Sequence, residues 1–139
     1  MIADQTVFEA KRLGVLTCQE DCLLEKAAEY MVGEDVSALI VVDQEGFLSG
    51  IFTRTDLLRA GLTVDDWKSK LVKDFMSPNV VTVAPETRLS DVAKLLLEKQ
   101  IHRVVVVSEA EGRRPLSVVS AADLVYHMVN EGQTLSISM

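Results

Sequence analysis

The chain has 139 residues, enough for one compact domain or for two small units that share a core. Hydrophobic residues make up 48% and charged residues 25%, an ordinary globular balance, and no apolar run reaches the roughly 18 residues of a membrane-spanning helix. A formal charge of −7 argues against non-specific attraction to nucleic acid or anionic membrane, and the basic pairs Lys11-Arg12 and Arg113-Arg114 do not overturn that balance.

Residues 1–14, MIADQTVFEAKRLG, lack the basic start and apolar core of a signal peptide. Cys18 and Cys22 provide no disulfide framework, so a reducing cytoplasm is the expected compartment. With no second pair and no nearby His, Cys18-x3-Cys22 reads as two small semi-buried residues, and no metal site is expected. A short β run begins at Val15-Leu16-Thr17. The apolar spacing Leu24, Ala27, Ala28, Met31 predicts a helix. The continuous run Ala38-Leu39-Ile40-Val41-Val42 predicts a strand covered on both faces. Asp43-Gln44-Glu45-Gly46 supplies turn chemistry before a second strand over Phe47–Phe52, and a further helix starts near Thr53.

The same order then returns. Shifted by 65 residues, VLTCQEDCLLEKAAEYMVGEDVSALIVVD (15–43) lies over VVTVAPETRLSDVAKLLLEKQIHRVVVVS (80–108). The second copy has a β run at Val80–Val83, a helix with Leu89, Val92, Ala93 and Leu96 started by Thr87 after Pro85, and the buried run Arg103-Val104-Val105-Val106-Val107. Its connection is two residues longer and passes Gly112 and Pro115, so that Thr53 and Asp56 fall on Ser120 and Asp123. The expected fold class is α/β (α+β), two β-α-β-β-α units. Neither unit alone can bury its apolar face, so the two are expected to pack together. The domain reading is an N-terminal segment 1–14, a first unit 15–61, a linker 62–79, a second unit 80–131 and a tail 132–139. In the linker, Trp67, Leu71, Phe75 and Met76 have helical spacing, which predicts a packed linker helix closed by Ser77-Pro78-Asn79.

Thr53-x-x-Asp56 and Ser120-x-x-Asp123 each match an acidic capping box at a strand-to-helix turn. A helix N-terminus at the carboxyl end of a strand is also a ready place for phosphate or sugar hydroxyls, and an Asp there can accept from the two vicinal hydroxyls of a ribose. Periodicity leaves both readings open. His102 reads as a strand-edge residue, either hydrogen-bonded within the protein or in contact with a ligand, and His127 as helix surface or dimer interface. Nothing resembles a nucleophile elbow, a P-loop or a Cys-His pairing, so no enzyme activity is expected.

The duplication, with VSALIVVD, IHRVVVV, GIFTRTDLL and SVVSAADLV, resembles a tandem pair of cystathionine β-synthase (CBS) domains, the Bateman module, over about residues 13–130. The resemblance implies two domains related by a pseudo-two-fold axis, with sheets covered by helices. It implies a regulatory or sensor module whose clefts bind AMP, ADP, ATP or S-adenosylmethionine, with no catalytic cofactor. Asp56 and Asp123 match the family's ribose-binding Asp, and Thr53 and Ser120 the preceding hydroxyl. Adenine would lie against Val36, Ser37, Ala38 and Leu39 with Thr17 and Cys18, and against Ile101, His102, Arg103 and Val104 with Thr82 and Val83. The pair His102-Arg103 matches a phosphate-contact position of nucleotide-sensing members such as the γ subunit of AMP-activated protein kinase. Departures are Ile40 and Val104 where a middle-strand Pro is common, Ser117 where the first copy keeps Gly50, and Ser37-Ala38 where the second copy has His102-Arg103. The surplus apolar stripes Leu57-Leu58-Leu62 and Leu124-Val125-Met128-Val129 lead to the expectation of a homodimer. A structural dimerisation module without ligand, or a regulatory fragment of a larger transporter, channel or enzyme, is the alternative.

Overall fold

The computed structural model describes residues 2, 5–10, 14–110 and 112–130. The tail expected at 132–139 and the pair Lys11-Arg12 lie outside the described residues. The elements run α1 (Val7–Ala10), β1 (Thr17–Gln19), α2 (Leu24–Glu34), β2 (Ala38–Val42), β3 (Leu48–Thr53), α3 (Arg54–Thr63), β4 (Thr82–Val83), α4 (Leu89–Lys99), β5 (Arg103–Ser108), β6 (Arg114–Ser120) and α5 (Ala121–Val129). The mixed α/β class and the repeated β-α-β-β-α order are as expected from the sequence. β1 lies two residues later than the predicted Val15–Thr17, β4 is shorter than the predicted Val80–Val83, and β3 ends one residue later, at Thr53.

Each copy builds a three-stranded sheet, in the orders β1-β2-β3 and β4-β5-β6. The middle strand is parallel to the first and antiparallel to the third, with Ala38 opposite Thr53 and Arg103 opposite Ser120. β2 is buried along its whole length, and so is β5 from Val104 to Val107. That explains their unbroken aliphatic composition. The third strand bulges at the same place in both copies, between the partners of Val41 and Val42 and between those of Val106 and Val107. α2 and α4 also stop alike, with Asp35 (φ 51°) and Gln100 (φ 54°) in the left-handed region and their N–H groups turned back to the last-turn carbonyls.

The chain forms two compact units, and their boundaries do not follow the sequence repeat. One spans Leu16–Val80; the other joins Val81 onward to the residues up to Val15. The first core gathers Leu24, Ala27, Met31, Leu39, Val41, Phe52, Ala60 and Val72. The second gathers Val7, Ala10, Leu89, Val92, Leu96, Val104, Val106, Val119 and Leu124.

Residues 64–79 are not a helix. They hold two 3₁₀ turns, Trp67–Ser69 and Val72–Asp74, and pair back along the first copy. Leu71 bridges Leu23, Leu24 N–H donates to Lys70 O, Val72 N–H donates to Cys22 O, and Ser77 exchanges backbone bonds with Ile51. The apolar spacing in this segment therefore belongs to separate contacts along an extended path. The N-terminal segment repeats the geometry in the other unit: Thr6 bridges Arg88, Leu89 N–H donates to Gln5 O, Val7 N–H to Thr87 O, and Gly14 N–H to Leu116 O. Residues 5–10 and 70–75 are thus the same part of the repeat, offset by 65, and each serves the other copy. Thr87 is spent on this pairing and is not a cap; Arg88 occupies the N-cap of α4 without a side-chain capping hydrogen bond.

Candidate functional site

Both tetrapeptides form complete capping boxes. In the first, Asp56 Oδ2 accepts from Thr53 N–H at 2.8 Å and from its hydroxyl at 3.0 Å, while Asp56 N–H donates to Thr53 Oγ1 at 3.3 Å. In the second, Asp123 Oδ2 accepts from Ser120 N–H at 2.9 Å, and Asp123 N–H donates to Ser120 Oγ at 3.1 Å. The carboxylates are 9% and 5% exposed as residues, so each is a buried anion held at the positive end of a helix.

The middle strand supplies the next contact. Ser37 O accepts from Arg54 N–H at 3.0 Å, and His102 O accepts from Ala121 N–H at 2.8 Å. Residues 36–39 and 101–104 are therefore beside the caps at 53–56 and 120–123. Val36, Ala38, Leu39 and Val104 are buried, while Ser37, Ile101 and Arg103 are half-buried. His102 is exposed in the bend ahead of β5, which corrects its placement at a strand edge. Burial lowers the pKa of the Arg103 guanidinium. Thr17 and Cys18 pair with Ile40 and Val41, and Thr82 and Val83 with Val105 and Val106. They lie two to three residues farther along the middle strand than the caps, roughly 7–10 Å at strand rise. Each first strand therefore flanks its cap at a distance.

One side chain, Arg59, was missed in sequence, and another, His127, was misplaced. Arg59 lies one turn after Asp56 and its Nη1 donates to Asp56 Oδ1 at 3.0 Å. His127 is fully buried, not on the surface, and neither ring nitrogen has a hydrogen-bond partner among the described residues. Burial, with Cys22 nearby, pushes the Cys18 thiol up to about 12, and burial with Asp21 raises Cys22. Two surface recesses within Leu16–Val80, of about 190 and 440 Å³, are lined by none of the sixteen residues predicted to bind ligand. Among the described residues no helix is long and apolar enough to cross a membrane.

The CBS domain model matches this chain twice, over residues 7–63 and 72–130. The chain belongs to the CBS domain family. The uncharacterized protein MJ1225 of Methanocaldococcus jannaschii is 26% identical over 122 residues, 88% of this chain and 42% of that one, so the chain spans about two fifths of that relative. The CBS domain pair of protein MJ0100, solved with 5′-methylthioadenosine and S-adenosyl-L-methionine, superposes with a TM-score of 0.80 at 22% identity, covering 93% of this chain and 99% of that one. CBSX2 in complex with AMP superposes with a TM-score of 0.78 at 24% identity, covering 90% and 96%. At these identities the likeness to the two solved structures is one of fold.

Proposed function

We propose that this CBS pair is a regulatory module that binds an adenosine-containing small molecule, with Asp56 and Asp123 as the ribose acceptors. The observation that carries the reading is the duplicated buried carboxylate, set at a helix N-terminus beside the start of the middle strand in each unit. A carboxylate there uses one oxygen to accept the cap's hydrogen bonds, and its outer oxygen is the acceptor that sugar hydroxyls would reach. The CBS pairs of like fold that were solved with AMP, or with methylthioadenosine and S-adenosylmethionine, point to the same ligand class. Thr53 and Ser120 would meet sugar or phosphate oxygen. Arg103 and His102 would supply phosphate partners near the second cap that Ser37 and Ala38 do not offer near the first.

Calorimetric titration with AMP, ADP, ATP and S-adenosylmethionine tests this. Asp56→Ala and Asp123→Ala should each weaken their own site about 10–150-fold, the loss of charge-assisted bonds worth roughly 1.5–3 kcal/mol. Unchanged affinity in the folded double variant would leave the motifs as caps alone. A flat titration across the whole panel would favour a dimerisation scaffold without ligand.

The exposed apolar side chains of α3 (Leu58, Leu62) and α5 (Val125, Met128, Val129) support a homodimer. Sedimentation equilibrium at micromolar concentration showing only a species of 15.3 kDa would overturn it.

A further inference from the structure

The capping box of the first unit carries an ion pair on the outer oxygen of its carboxylate. On Asp56, Oδ2 is occupied by the N–H and hydroxyl of Thr53, and Oδ1 accepts from the Arg59 guanidinium at 3.0 Å. A carboxylate has about four acceptor positions. Three are filled, and a vicinal diol needs two, so a ribose cannot lie bidentate on Asp56 while Arg59 stays in place. The anion is fixed, at 12% side-chain exposure, whereas the Arg59 side chain is 60% exposed and free to swing. The matching residue after Asp123 is Tyr126, which carries no cation. The other guanidinium on this helix, Arg54, is drawn to Asp35 at 3.3 Å.

We infer that Arg59 is a specificity-determining residue, a charge latch that makes the Asp56 site prefer phosphorylated ligands. The inference rests on the reading of Asp56 as a diol acceptor. A nucleoside monophosphate brings both halves of the exchange: its diol takes Oδ1, and its phosphate receives the displaced guanidinium in a bidentate geometry that suits arginine. A neutral nucleoside brings only the diol, and must break the ion pair without replacing it. Residues 16–80 hold twelve acidic against six basic residues, so a phosphate arriving there has few other cations to meet.

The test is calorimetry with AMP and with adenosine on the Asp123→Ala protein, so that the Asp56 site alone is read, with and without Arg59→Gln. Circular dichroism and melting temperature establish that each variant is folded. Expected is tighter binding of AMP than adenosine with Arg59 present, by about tenfold, a preference that shrinks with added salt. Arg59→Gln should tighten adenosine about three- to tenfold, weaken AMP, and remove the salt dependence of the ratio. Arg59→Lys should keep part of the preference. An AMP-to-adenosine ratio unchanged by Arg59→Gln, while Asp56→Ala still abolishes binding, would overturn the latch and leave the ribose reading standing. Binding that survives Asp56→Ala would overturn the ribose reading and the latch with it.

Discussion

Asp56 and Asp123 sit at the same point of two copies of one motif, in surroundings that have diverged. The features the copies share are backbone features: the bulge in the third strand, the left-handed stop at Asp35 and Gln100, and the capping box itself. The differences are carried by side chains around that frame. Gly50 corresponds to Ser117, Phe52 to Val119, Arg59 to Tyr126 and Ala60 to His127. Residues 16–80 carry twelve acidic and six basic residues; the remainder carry nine and eight. A duplicated fold has kept its backbone geometry and let the chemistry of the two halves separate.

The largest expected break in the comparison is at the third strand. Phe52 is fully buried against α2, α3 and the 3₁₀ turns, and Phe52→Ala should cost about 3–5 kcal/mol in urea unfolding. Val119→Ala removes fewer carbons from the other core and should cost visibly less. Next comes the bulge. A Cβ on Gly50 would stand 2.6 Å from Ser77 O and 2.8 Å from Met76 Sδ, so Gly50→Ala should destabilise by about 1–3 kcal/mol. Ser117 at the matching place is buried, and the second copy accommodates a side chain there. There Ser117→Gly should cost only about 0.5–1 kcal/mol, the usual price of glycine in a strand.

His127 sharpens the comparison in the opposite direction. Its partner position is Ala60, equally buried, so the second unit holds an imidazole where the first holds a methyl group. Because neither ring nitrogen is bonded, His127→Leu should raise stability by about 1 kcal/mol, read as a higher unfolding midpoint. A drop would mean that the ring's shape, rather than its polarity, governs the site. The smallest effect concerns the thiols, which only the first copy has. Iodoacetamide at pH 8 should modify Cys22 well before Cys18, because a thiol raised to about 12 is almost wholly protonated there. Its rate should climb only as the pH approaches that value.

The repeat, the element order and both capping boxes were legible in the sequence because each is a local signal. Thr-x-x-Asp is read off four residues, and a buried strand off five. The path from Val64 to Asn79 was not legible. Trp67, Leu71 and Phe75 fall at i, i+4 and i+8, but Leu71 bridges Leu23 and Ser77 follows Ile51, and such long-range pairing leaves no periodic trace. His127 was misplaced because Leu124, Val125, Met128 and Val129 surround it with apolar residues that do not say which side faces inward. Arg59, three residues after an Asp, looks like any exposed helix pair. Only the direction of the cap shows that it reaches the outer carboxylate oxygen.

The exchanged segments have a consequence for how such a chain can be divided. Residues 5–10 begin the first repeat yet complete the second unit, and residues 70–75 begin the second repeat yet complete the first. A lone repeat cut at the family boundary would carry a first segment and, at its own residues 20–24, the dock for one. Two such fragments could satisfy each other by trading segments, which is domain swapping in its ordinary sense. The present chain has the topology of that swapped pair with the two halves joined end to end. Fusion after duplication makes the trade intramolecular, so it no longer depends on concentration.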